Sequence, residues 1–336
     1  MPTVKTGRIS WVDYARGIAI LLVVYRHVVV GMQRAGIEVS HFMYNLQEVF
    51  YNFRMPVFFI ISGAFLALSL KKVTALKALK DRMSTILYPY LFWGVVLISL
   101  EIIFARFTNA NRSLYDFLHI ITQPRAVDHL WYLFALFNAS ALFLLLSGFL
   151  KNNWLHLAVA ILLHWFTFTS YLQGNSLVSD AFYFYPYFLI GTFVYEWLLD
   201  KHRNKIVFNK KYLAVLIPLF LAGQVFWFFN QQKEDIYFGI FFLINIIGCA
   251  MVYYISYFLD KASALKYLSY IGTYSLYIYI LHVPIAACMR NVFLRTGIDA
   301  SPWIILATCW LAGVIFPIVF INVFKKYGVL KLFSLK

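Results

Sequence analysis

Arg16 and His27 stand eleven residues apart in "ARGIAILLVVYRHVVV", an otherwise aliphatic run of Ile, Leu and Val. At 100° per residue that spacing is three helical turns plus about 20°, so guanidinium and imidazole share one face, separated by about 16 Å along the axis. Asp13 lies one turn before Arg16 and can join it. The stripe therefore offers an acid and a fixed cation near one end and a group that takes or gives a proton near neutral pH at the other. Arg16 alone could be a snorkelling boundary residue. Arg26, beside His27 but on another part of the wheel, reads as a residue snorkelling outward. His27 could hydrogen-bond between helices as structure, but a shared face with a buried cation favours a proton carrier.

The next apolar stretch, "EVFYNFRMPVFFIISGAF", adds Glu48 and Arg54. Glu48 could orient the imidazole of His27, or form an ion pair with Arg26 or Arg54. Ser62 and Gly63 are small and permit close helix approach. After it comes "KKVTALKALKDRMSTILYPYLFW", whose cations fit a loop on the basic side of a membrane, while Lys80 and Arg82 could also hold phosphates.

The elements carrying these residues belong to an all-α integral membrane protein. Of 336 residues, 62% are hydrophobic and only 13% charged, against about 45–50% and about 25% in soluble domains. Ten apolar stretches are long enough to cross a bilayer, at roughly 12–32, 46–70, 86–106, 129–149, 154–172, 181–199, 212–230, 237–259, 267–290 and 302–324.

The net charge of +15 reports topology rather than nucleic-acid binding. Taking alternate connections, one side collects 19 basic residues: Lys5, Arg8, Lys71, Lys72, Lys77, Lys80, Arg82, Lys151, Lys201, Arg203, Lys205, Lys210, Lys211, Lys261, Lys266, Lys325, Lys326, Lys331 and Lys336. The other side collects seven: Arg34, Arg106, Arg112, Arg125, Lys233, Arg290 and Arg295. The positive-inside rule then places both termini in the cytoplasm of a multi-pass cell-membrane protein. Arg16, Arg26 and Arg54 remain, all inside proposed spans.

The first apolar run has internal charges and no small-residue cleavage site, so it is expected to be retained. The longest link, near 107–128, is short, and residues 1–336 form one transmembrane domain, so chemistry must occur in or beside the bilayer. Cys249, Cys288 and Cys309 lack metal or redox spacing and read as small core residues. His41, His119, His156, His164 and His202 show no metal spacing either, so no metal is expected.

Several stretches, in order, carry a resemblance. "VDYARGIAILLVVYRH" resembles the opening of the membrane acyltransferase 3 family, integral-membrane O-acyltransferases of carbohydrates, in which an arginine, ten residues and a histidine mark the first helix; here these are Arg16 and His27. "FRMPVFFIISGAF" resembles its second-helix motif, although Ala64 separates Gly63 from Phe65. "HLWYLFALF" at 129–137, "YFYPYFLIGTFVYE" at 183–196 and "SLYIYILHVPI" at 275–285 resemble its later segments, so the likeness covers about residues 10–290. The loop after the second helix often carries two arginines three apart in that family. Here Thr85 follows Arg82 at that spacing, which leaves Lys80 to supply the second charge or the contacts to differ.

The resemblance implies transfer of an acyl group, usually acetyl from cytosolic acetyl-CoA as co-substrate, to a hydroxyl of a glycan such as an exopolysaccharide unit or a lipid-linked sugar. On that reading His27 is the general base, oriented by Glu48, and Arg16, Arg82 and Lys80 meet the CoA phosphates, with Asp13 holding Arg16. Arg54 and Trp131 could lie near the thioester or the sugar, and His129 near the acceptor. His282 reads as a packed structural histidine more than a second base. Direct transfer and an acetyl-histidine intermediate both remain open, as do acetyl and succinyl donors and the oligomeric state. The competing class is a transporter or flippase for a sugar-containing substrate, which would also need intramembrane charge.

Overall fold

The computed structural model describes residues 9–107, 112–172, 174–200, 202–298 and 300–335. Lys5, Arg8, Lys201 and Lys336 of the charge count, and residues 108–111 of the long link, lie outside them. The described residues form helices α1 (Ser10–Arg34), α2 (His41–Val49), α3 (Tyr51–Leu70), α4 (Ala75–Arg82), α5 (Tyr88–Ile103), α6 (Asp116–Thr122), α7 (Trp131–Phe149), α8 (Asn153–Phe166) and α9 (Ser176–Leu199). They continue with α10 (Asn204–Val207), α11 (Leu213–Asn230), α12 (Phe238–Lys261), α13 (Lys266–Thr273), α14 (Ser275–Thr296) and α15 (Pro302–Phe324), and no strand occurs among them.

Nine described helical segments are long and apolar enough to cross a membrane. The tenth expected span, 154–172, is instead the 14-residue α8 followed by turns. At 1.5 Å per residue α8 reaches about 21 Å, short of the roughly 30 Å hydrocarbon layer. Even so, the chain comes back across the bundle there. Arg125, just before α7, pairs with Asp180 in the first turns of α9 at 2.5 Å, so α7 and α9 start at the same end. Two other expected spans are broken: Phe50 separates α2 from α3, and Tyr274 separates α13 from α14.

Two crossings bring backbones into contact. A methyl group on Gly63 would sit 2.0 Å from the carbonyl of Phe188, and one on Gly191 2.0 Å from that of Ile60, so α3 and α9 meet at a pair of glycines. Likewise Gly17 of α1 faces Leu268, and Gly272 of α13 faces the Asp13 carbonyl. Between lipid-soluble helices such small residues allow the close packing that water would otherwise drive. Arg290, assigned to a loop by the charge count, is instead buried in α14, its guanidinium against Gly31. Cys249 and Cys309 are buried and Cys288 exposed, all three free.

Helices α1 and α14 run side by side in one direction and α3 in the other. Arg16 near the start of α1 therefore meets Phe65 near the end of α3, 5.3 Å from its ring, while His27 reaches the other end of the bundle.

Candidate functional site

At that other end three histidines converge. The ring of His27 lies 5.1 Å from that of His282 and 5.9 Å from that of His129, and the latter two are 4.9 Å apart. The convergence follows from a proline. Pro284 has no N–H, so the carbonyl of Ile280, four residues earlier, loses its helical donor. His129 Nε2 donates to it at 3.1 Å. Tyr279 Oη donates in return to the carbonyl of His129. The short 3-10 segment Pro124–Leu130 is thereby stitched to α14 across 150 residues of chain.

These bonds set the tautomers. His282 Nδ1 donates to the carbonyls of Ile278 (2.9 Å) and Tyr279 (2.8 Å). Its Nε2 and the Nδ1 of His129 are left as buried acceptors with no donor among the described residues. A buried polar atom without a partner costs about 1–3 kcal/mol, and such sites recur where a structure holds groups ready for chemistry. His129 Nδ1 lies 3.9 Å from Asp128 Oδ2. Asp128 also pairs with Arg34 at 3.8 Å. It adopts φ 54°, a conformation few non-glycine residues take.

Glu48 was expected to orient His27. Its carboxylate instead lies 3.6 Å from Arg26 and is bonded to the amide of Gln47, whose Oε1 accepts from Arg26 at 2.6 Å. The reason is directional: Arg26 projects from α1 about 100° away from His27, toward α2. Arg26, expected to snorkel outward, is thus only partly exposed and tied to Gln47 and Glu48. The acid beside the histidines is Asp128, a residue sequence reasoning passed over although it adjoins His129 in "DHLW".

The opposite end gathers cations. Asp13 and Arg16 form the expected pair, at 3.8 Å. Arg82 Nη1 donates to the Ser62 hydroxyl at 2.6 Å, and Nη2 to the Ser62 carbonyl at 2.9 Å. Ser62, read as a packing residue, is the anchor that turns Arg82 into the bundle. Arg16 and Arg82 lie within electrostatic reach of each other and of Tyr132. Lys80 is exposed on α4. Tyr132 connects the two ends, its ring 5.2 Å from Tyr279 and 5.4 Å from Phe59.

Beside the histidines lies an aromatic patch. Trp131 stacks on Phe184 at 5.7 Å, and the Arg125 guanidinium lies over its ring at 4.7 Å. Arg54 is buried with its guanidinium 4.6 Å from the Tyr51 ring, within electrostatic reach of His27. No group of His, Cys, Asp or Glu able to hold a metal occurs among the described residues.

An all-helical membrane bundle with a histidine cluster at one end and paired arginines at the other defines an intramembrane polar site. A family profile described as "Acyltransferase domain" matches residues 9–322, and the chain belongs to this acyltransferase 3 family. Among curated proteins, "Nodulation protein NolL" of Sinorhizobium fredii (strain NBRC 101917 / NGR234) is 27% identical over 206 residues, 60% of this chain and 52% of that protein. "Nodulation protein NolL" of Mesorhizobium japonicum (strain LMG 29417 / CECT 9101 / MAFF 303099) is 24% identical over 208 residues, 61% of this chain and 52% of that protein. The chain spans about half the length of these relatives. No solved structure matches it.

Proposed function

We propose that this membrane acyltransferase moves acetyl from acetyl-CoA to a hydroxyl of a glycan, an exopolysaccharide unit or lipid-linked sugar, with His27 as general base. The observation that carries the reading is the meeting of His27 with two tautomer-fixed histidines whose bare nitrogens are buried. The glycan hydroxyl oxygen attacks the thioester carbonyl carbon and His27 takes its proton. The tetrahedral intermediate collapses, the carbon–sulfur bond breaks, and the proton passes to the departing CoA sulfur. His129 and His282 hold the ring of His27 in place, with the carboxylate of Asp128 beside His129.

The donor enters at the arginine end, which the positive-inside rule assigns to the cytoplasm. Arg16 and Arg82 meet its phosphates, with Lys80 at the rim. The pantetheine arm runs beside Tyr132 toward His27, bridging the roughly 16 Å between Arg16 and the imidazole. The acceptor approaches from the histidine end, where Trp131, Phe184 and Arg125 form an aromatic and cationic wall for a sugar.

The test is acceptor-dependent release of CoA by purified protein in detergent, with a panel of glycans, for wild type and His27→Ala. Release that the substitution abolishes is the expected result. Absence of donor binding and turnover in well-folded protein with any acyl-CoA would defeat the reading, and sugar transport in liposomes would then be measured.

A further inference from the structure

Arg54 is 6% exposed and pairs with no acidic side chain among the described residues; its guanidinium lies 4.6 Å from the Tyr51 ring. Arg26 lies on that same ring at 4.5 Å. The acid that both cations feel is Glu48, and its carboxylate is the one beside Arg26. Two guanidinium groups and one carboxylate therefore leave one net positive charge, and Arg54, the cation farther from that carboxylate's ion pair, is the buried one. Such a charge is costly unless an anion answers it.

The neighbouring surface specifies more. Gln47, buried and bonded to Arg26, also lines an apolar cleft of about 350 Å³ between α1, α2 and α15. Its walls include Leu21, Tyr25, Phe50, Trp303, Leu306 and Trp310. Leu306 and Tyr25 come from segments long enough to cross the bilayer, so the cleft lies at membrane depth, where hydrocarbon chains are the available occupant. A buried cation, a second cation on the same tyrosine ring and an apolar cleft that reaches the second through one glutamine match a molecule with a phosphate at one end of a long alkyl chain.

The geometry points to a lipid-phosphate site: the alkyl chain of the acceptor's carrier lies in the cleft and its phosphate sits against Arg54 and Arg26, next to His27. This rests on the acyltransferase reading for its purpose and assigns the acceptor to the lipid-linked class. Guanidinium groups suit the phosphate because they donate paired hydrogen bonds while remaining charged in a poorly solvated setting.

The test is equilibrium binding of hexadecyl phosphate to the full chain in phosphatidylcholine nanodiscs, without acyl donor, with empty nanodiscs as blank. Hexadecanol and inorganic phosphate are the comparison probes. Saturable binding of hexadecyl phosphate at least tenfold tighter than hexadecanol is expected, with a loss of tenfold or more in Arg54→Gln and partial recovery in Arg54→Lys. Leu306→Trp, which narrows the cleft, should weaken both alkyl probes severalfold, and it decides the matter if Arg54→Gln does not fold. Equal affinity for phosphate and alcohol overturns the site. Inorganic phosphate competing as well as the lipid overturns the lipid assignment in favour of a soluble anion. Binding of the lipid by a protein that never turns over acyl-CoA would keep this site and refute acyl transfer, while turnover without lipid-phosphate binding would do the reverse.

Discussion

The two ends of the polar column are built on different principles. At the histidine end two of the three rings are braced: His129 and His282 are 2% and 0% exposed, each with one nitrogen on a backbone carbonyl, and Tyr279 closes the loop back onto His129. At the arginine end Arg16 keeps a third of its side chain accessible, Lys80 is exposed, and Arg82 hangs on one serine. The difference suits the two tasks proposed for the ends. Proton transfer needs fixed geometry in a water-poor setting, whereas a large, charged, exchangeable co-substrate needs cations that can adapt at an open mouth.

If the braced end works as a unit, single and double substitutions there should not add. His27→Ala should lower turnover by about 10²–10⁴-fold, the usual range for losing a general base. Adding His282→Ala should cost little more, because the second ring acts through the first. Initial rates of CoA release at saturating donor measure both. Multiplicative losses would show that His282 works independently of His27.

The next effect falls on the packing that both ends share. Gly63→Leu forces a side chain into the Phe188 carbonyl and drives α3 from α9, which should cost about 1–3 kcal/mol or more. Because Ser62 and Arg54 ride on α3, donor and lipid binding should both weaken along with the melting temperature in detergent. An unchanged melt would mean that α3 and α9 do not meet at these glycines.

At the open end the losses should be smaller and should appear in KM. Arg82→Gln should raise the KM for donor by about tenfold, the order expected for a charge-assisted bond. Ser62→Ala, which leaves Arg82 charged and held only by the backbone carbonyl of residue 62, should raise it severalfold with kcat nearly unchanged. A fall in kcat at constant KM would place Arg82 in the chemistry and erase the division between the ends.

How much of this was legible in the sequence depended on whether a signal was local. Arg16 and His27 lie on one helix, so a wheel sufficed to place them on one face, and Asp13 followed by its one-turn spacing. Glu48 could not be assigned from spacing, because its partner depends on how α2 turns against α1. Asp128 and His282 meet His27 through contacts that span more than a hundred residues, and the reason, a carbonyl freed by Pro284, is visible only once α14 is next to the 124–130 segment. Ser62 carried a hydroxyl in a motif whose small size explained it equally well. The break at Phe50 and the shortness of α8 sat within apolar runs, which periodicity alone reads as continuous.

The smallest prediction concerns what holds the braced end in place from outside the spans. Arg112 donates to the carbonyl of Ala126 at 2.7 Å, two residues before Asp128, and is itself gripped by Glu101 at 2.7 Å and Asp116 at 3.4 Å. Asp116 accepts from the Ser113 backbone N–H at 2.7 Å, and this bond, with help from the Ser113 hydroxyl, His119 and Arg112, holds its carboxyl below the ordinary carboxylate range. A carboxyl so depressed stabilises the fold fully above its unfolded pKa and loses that contribution as pH falls through the lower, folded value. Wild-type melting temperature should therefore drop on acidification below the ordinary carboxylate range. Asp116→Asn should start slightly lower at neutral pH and drop less. Were the two acid limbs parallel, Asp116 would be no part of the clamp, and the support of Asp128 and His129 would rest on Glu101 and the α14 bonds alone.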